Sequence, residues 1–127
     1  MHEQHLYDYA VIRVVPKVER EEFINIGLMM YCKRQKYLRI DYQIPTDKIL
    51  LFSPEFDVDQ LKINLESFRK ICSGKKDGGP IAAFEIAERF RWLTAIKSSS
   101  IQTSRPHAGF SKNLDMTFEK LYAELVL

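Results

Sequence analysis

Three β-forming runs crowd into the first 43 residues of this 127-residue chain, and helical periodicity begins only after them. That order limits the fold more than any other feature. Residues 7–15, Tyr-Asp-Tyr-Ala-Val-Ile-Arg-Val-Val, are rich in β-branched and aromatic types and stop at Pro16, which reads as a strand closed by a turn. Residues 24–32 and 37–43 read as two more strands, and the basic linker Lys33-Arg-Gln-Lys36 between them suits a hairpin. Alternation puts Ala10, Ile12 and Val14 on one side of the first strand, Ile24, Ile26, Leu28, Met30 and Cys32 on one side of the second, and Leu38, Ile40 and Tyr42 on one side of the third. Helices should cover that face. The opposite face carries Tyr9, Val11, Arg13 and Val15, then Asn25, Gly27, Met29 and Tyr31, then Arg39 and Asp41. A site floor would look like this, and so would the solvent side of a small antiparallel sheet.

Val58, Leu61, Leu65, Phe68 and Cys72 step by three or four residues, the period of an amphipathic helix, with Asp57 or Asp59 to start it and Gly74 to end it. Pro80 suits the first turn of a second helix that runs to about Leu93, with Ile81, Phe84, Ala87 and Phe90 inward. A last helix over 112–126 turns Leu114, Phe118, Leu121 and Leu125 inward, and a short one fits Thr46–Phe52. Between Ala95 and Phe110 the pattern gives one short strand, 99–103, placed beside 8–15, and otherwise ordered loop. The predicted fold class is α+β: a small antiparallel sheet of three or four strands with helices packed on one face. The length suits a single domain over 1–127, with 1–6 frayed and 74–80 a flexible loop.

With 46% hydrophobic and 28% charged residues the composition is globular, and a net charge of +2 does not by itself announce a nucleic-acid binder. The first residues lack a basic and an apolar stretch of signal-peptide type, and no apolar run approaches the ~20 residues needed to span a bilayer. Cys32 and Cys72 each lie in an apolar pattern, far apart, which predicts reduced, buried thiols and a cytoplasmic setting. No metal or cofactor is expected. His2 and His5 sit in a terminal segment, and the Glu19–Glu22 run reads as a solvated turn.

Two polar stretches carry the chemistry. Arg13 has apolar neighbours on both sides in a strand, so its guanidinium needs a carboxylate or an anion to offset desolvation. Glu22 is the nearest carboxylate across the turn. Asn25-Ile-Gly27 follows on the returning strand, where a glycine marks a bulge or a close approach. Downstream, Arg89 and Arg91 precede Ser98, Ser99, Ser104, Arg105 and His107, a hydroxyl, guanidinium and imidazole set of the kind that binds anions. The candidate anion site is therefore Arg13, Asn25, Arg89, Ser99, Ser104 and His107, with Glu22, Gly27 and Gly109 as structural motif residues. The Ser–His pairs lack a third member and a Gly-x-Ser-x-Gly turn, so no catalytic residue is assigned.

Tyr9-Ala-Val-Ile-Arg13-Val-Val-Pro16, Arg20-x-Glu22-Phe-x-Asn25-x-Gly27, Glu88-Arg-Phe, Ser98-Ser and Ser104-x-x-His107-x-Gly109 together resemble the bacterial family catalogued as domain of unknown function 3037. The resemblance runs from about Tyr7 to Val126. Two positions depart from it: Glu21 stands where the family usually has Gly, and Lys97 follows Ile96 where it often shows Pro-Arg. The family's name records no established activity. The resemblance implies a small cytoplasmic protein accessory to a kinase-type partner of the HipA class. The expected function is a non-catalytic interaction or regulatory module. The alternative is an anion-binding domain for a nucleotide, phosphorylated ligand or nucleic acid, with hydrolase activity. Nucleic acid has the weaker support, because the basic loop tips lack interleaved aromatics. No membrane association is expected.

Overall fold

A computed structural model describes residues 3–95 and 100–127 of the chain. Strands β1 (His5–Val14), β2 (Ile24–Cys32) and β3 (Tyr37–Tyr42) form an antiparallel meander, as their order in the sequence predicts. Helices α1 (Thr46–Phe52), α2 (Val58–Ser73) and α3 (Ile86–Ala95) follow. Two short strands, β4 (Ile101–Thr103) and β5 (His107–Ser111), come next, and α4 (Leu114–Leu125) closes the chain. The class is α+β, with a five-stranded antiparallel sheet. Side-chain oxygens of Asp57 and Asn113 cap α2 and α4 by accepting from the Gln60 and Met116 N–H groups at 3.0 and 3.1 Å. Gly74, at φ 71°, ends α2.

The sheet order is β3-β2-β1, with β4 and β5 both pairing to the free side of β1. β4 is the strand expected beside β1. β5 corrects the expectation of loop there: His-Ala-Gly-Phe-Ser has neither alternation nor a β-branched residue, and backbone pairing to β1 alone makes it a strand. Pairing with β5 also draws His5 and Leu6 into β1, so the predicted fraying of 1–6 does not reach them. The segment 74–80, expected as a flexible loop, lies against α2 with 3-10 turns at Lys76–Gly78 and Pro80–Ala83 and a 3.2 Å ion pair between Lys70 and Asp77. Pro80 starts that second turn rather than α3, which begins after an extended Phe84, and Phe84 is correspondingly exposed.

The helices occupy both faces of the sheet, in contrast to the one-face expectation. Ile12 and Val14 join α1, α2 and α3 in one core through Ile49, Leu61, Leu65, Phe68, Phe90 and Leu93. Tyr7 and Val11, on the other side of β1, join Leu114 and Phe118 of α4 in a second core. The cause is a bulge in β2. Ile12 pairs with Gly27 and Arg13 with Asn25, leaving Ile26 as an extra residue. Side-chain parity reverses there, so Ile24 and Ile26 enter the first core while Leu28, Met30 and Cys32 enter the second. Both cysteines are buried and unpaired. Burial pushes the Cys72 thiol up to about 12, against the opposing pull of Arg89.

α4 is held down by Arg39, which lies over the Phe118 ring at 4.1 Å, pairs with Asp115 at 3.0 Å and reaches Glu119. Tyr37 donates to Asp115 at 2.7 Å. Burial, with that hydrogen bond, pushes the Tyr37 phenol up to about 12. Burial likewise raises Tyr7, Tyr31, Tyr42 and Tyr122. A raised folded-state pKa contributes stability that is complete below the unfolded value of 10 and is lost as pH climbs toward 12. Denaturant midpoints should therefore hold level up to about pH 9, where the unfolded Cys72 thiol begins to ionise, and fall steeply above pH 10. A Tyr37→Phe variant should lose less of its midpoint over that interval. Equal alkaline losses in the two proteins would count against the assignment.

Candidate functional site

On the α4 side of β1 the chain presents Tyr7, Tyr9, Val11, Arg13 and Val15 in turn. α4 covers this row only as far as Arg13. At that end the Asn25 amide donates to the carbonyl of Leu125, in the last turn of α4, at 3.1 Å. Beyond it the chain leaves β1 through Pro16, makes a 3-10 turn at Val18–Arg20, and returns into β2. The return needs a left-handed residue, and Glu21 supplies it at φ 58°. This is the position where the family resemblance leads one to expect glycine, so the turn keeps its tightness and the glutamate bears the strain. Glu21→Gly should raise stability by about 1 kcal/mol, read as a higher denaturant midpoint. An unchanged or lowered midpoint would show that the turn is not strained.

The turn brings Phe23 back over Arg13, whose guanidinium carbon lies 4.2 Å from the ring centroid. Together with Val15, Val18, Glu21 and Gln102 these residues line a pocket of about 370 Å³. Val18 and Phe23 are half-exposed at its rim. The Arg13 Nε is buried and has no hydrogen-bond acceptor among the described residues. Directly opposite on β2, the Asn25 Oδ1 is buried and has no donor. The carboxylate expected to satisfy Arg13 is engaged elsewhere, since Glu22 pairs with Arg20 on the exposed outer side of the turn. That exposed pair adds little to stability. Arg13 is thus a partly buried cation held by an aromatic face, with an edge left without an acceptor.

The remaining candidates are dispersed. The Arg89 guanidinium donates to the Ile71 and Cys72 carbonyls at 3.1 and 2.9 Å, closing the end of α2 on the opposite side of the sheet from Arg13. Ser104 is buried, and its hydroxyl accepts from the Val11 N–H at 2.9 Å while its own N–H donates to the Val11 carbonyl at 2.8 Å. His107 is exposed on β5, its ring tilted against Tyr9 with centroids 5.4 Å apart, about 13 Å along β1 from Arg13 at four residues of strand rise. Ser98, Ser99 and Lys97 lie outside the described residues. Arg13 and Asn25 are therefore brought together, while Arg89, Ser104 and His107 are not.

Gly27 and Gly109 both lie at close approaches. A side chain on Gly27 would meet the β3 backbone, and one on Gly109 would meet the Tyr7 ring. Sequence reasoning missed Phe23 and Gln102. Phe23 was visible as an apolar residue between Glu22 and the strand, but its seat over Arg13 depends on the turn. Gln102 follows from the register of β4 against Arg13.

Among the described residues no group of three or more His, Cys, Asp or Glu is arranged to hold a metal ion. No described helix is long and apolar enough to cross a membrane. The chemistry this pocket offers is recognition: a fixed cation, an aromatic plate, two valines, a carboxylate and an amide.

Fold and pocket together define a small α+β domain, a sheet with helices on both faces and a pocket at the Arg13 end of β1. A family model described as protein of unknown function (DUF3037) matches residues 9–126, and the chain belongs to that family. No curated protein and no solved structure matches it.

Proposed function

We propose that this domain is a non-catalytic interaction module whose recognition site is the Arg13 pocket. The observation that carries this reading is the Arg13 guanidinium, stacked on Phe23 with its Nε lacking an acceptor, beside a half-exposed apolar rim. A desolvated donor without a partner is costly, and since the Arg89 Nε shares that state, it is the open apolar rim beside Arg13 that sets this site apart. A kinase-type partner of the HipA class, implied by the family resemblance, is the first protein to test. Surface-immobilised domain should bind it, and Arg13→Gln and Phe23→Ala should each weaken binding. Equal binding by wild type and both variants would remove the pocket from the interface. A cross-linked pull-down from the producing cells that recovers only this chain would count against an interaction role altogether.

Anion binding with hydrolase activity has less support. Ser104 and one terminal nitrogen of Arg89 are taken up by internal hydrogen bonds, and among the described residues the pocket lining holds no nucleophile with a neighbouring base.

A further inference from the structure

We infer that the Arg13 pocket takes the carboxylate of a small apolar acid or of the last residue of a peptide, in preference to phosphate. The inference rests on the reading of this pocket as the recognition site. Three features of the lining converge on that ligand chemistry. The first is shape. The guanidinium carbon sits over the Phe23 ring at 4.2 Å, which closes that face to a ligand, and the buried Nε has no acceptor among the described residues. A carboxylate offers two coplanar oxygens at the spacing of a guanidinium N–H pair; two oxygens of a phosphate match that pair as well, so the preference between the two comes from charge and from the wall. Phe23, half-exposed, is the side chain that shifts to admit it.

The second feature is charge. Among the described residues Arg13 and Glu21 are the charged ones that line the pocket, one of each sign. A monoanion that engages Arg13 while turning an apolar or amide surface toward Glu21 fits this balance. A phosphate dianion or a nucleotide brings more negative charge than one guanidinium offsets, and it faces the glutamate. The other guanidinium that could have helped, Arg89, is spent on α2 carbonyls across the sheet. The third feature is the wall. Val15, Val18 and Phe23 surround the cation, and about 370 Å³ lies at the small end of ligand-pocket sizes. The body attached to the carboxylate is therefore apolar and about the size of one aliphatic or aromatic residue.

The test is a binding titration of the intact chain by NMR and calorimetry at fixed ionic strength, with N-acetyl-leucine, N-acetyl-leucinamide and inorganic phosphate as probes. N-acetyl-leucine should bind, shifting the Arg13 Nε–H and Phe23 ring signals, and the amide should not. Arg13→Gln should weaken binding about tenfold or more, a difference of about 1.4 kcal/mol. Glu21→Gln, on the exposed turn, should strengthen it with no loss of fold. A tripeptide ending in leucine that binds more tightly than N-acetyl-leucine identifies a peptide terminus as the source, and equal binding identifies a small acid. Phosphate binding as tightly as N-acetyl-leucine, or N-acetyl-leucine binding unchanged in Arg13→Gln, overturns the inference. So does the absence of any binding by N-acetyl-leucine and the tripeptide. A phosphate preference that still depends on Arg13 would overturn only the ligand chemistry. The pocket reading falls separately, if Arg13→Gln leaves partner capture unchanged.

Discussion

Gly27→Ala should destabilise this domain by about 3 kcal/mol, near the upper end of what overpacking usually costs. The reason is space rather than backbone freedom. A Cβ at this position would lie 2.7 Å from the Asp41 carbonyl oxygen, 2.8 Å from the Tyr42 Cβ and 3.1 Å from the Ile12 Cδ1. The isoleucine methyl can rotate, but the other two atoms are fixed to β3 and cannot yield without opening the β2–β3 pairing. That pairing begins at the bulge which sorts β2 between the two cores. The change should appear as a lowered denaturant midpoint together with faster amide exchange in β3. A variant within about 0.5 kcal/mol of wild type, the range of an ordinary surface substitution, would show that the sheet absorbs the methyl group.

Ser104→Ala should cost about 2 kcal/mol, because it leaves the buried Val11 N–H with no acceptor. In this sheet a side-chain hydroxyl completes the backbone pairing of β1 between its contacts with β4 and β5. The same hydroxyl donates onward to the Arg105 carbonyl at 3.1 Å, which fixes its rotamer. Hydrogen exchange at the Val11 amide gives the specific readout. It should quicken more than its neighbours in Ser104→Ala and stay close to wild type in Ser104→Thr, which keeps the oxygen. Uniform quickening along β1 would mean that the serine matters for packing and not for this bond.

Both residues were visible in the sequence as members of polar motifs, yet their roles were not legible to the same extent. Gly27 reads correctly as a bulge or close approach, since a glycine among strand residues has few other uses. Ser104 reads as an anion ligand because composition cannot tell a hydroxyl turned outward from one spliced into a sheet. Arg89 misleads in the same way, since a guanidinium that closes a helix end and one that holds a phosphate look identical in sequence. The meander, α2 and α4 were legible because period and caps agree along them.

The second core was not legible, for a specific reason. Gly27 allows a bulge within Ile24 to Cys32, but the apolar run Leu28-Met29-Met30 that follows fits either face and does not say which residue is extra. The parity change becomes visible only when Ile12 and Arg13 are set against Gly27 and Asn25. Of the candidate site, the Arg13–Asn25 pairing could be anticipated from strand alternation. Phe23 and Gln102 could not, because each depends on a turn or a register that the sequence leaves open.

The interruption at Ser104 has a further consequence for how this protein behaves at high concentration. Had β4 and β5 been one strand from Ile101 to Ser111, the sheet would end in a long, straight border of unpaired N–H and C=O groups. Such a border is a template on which a second chain can assemble. Here the border is cut into pieces of three and five residues, separated by a stretch containing Pro106, whose nitrogen has no hydrogen to offer a stranger. The serine that completes the strand pairing from within thus stands at a break that also shields the sheet from aggregation.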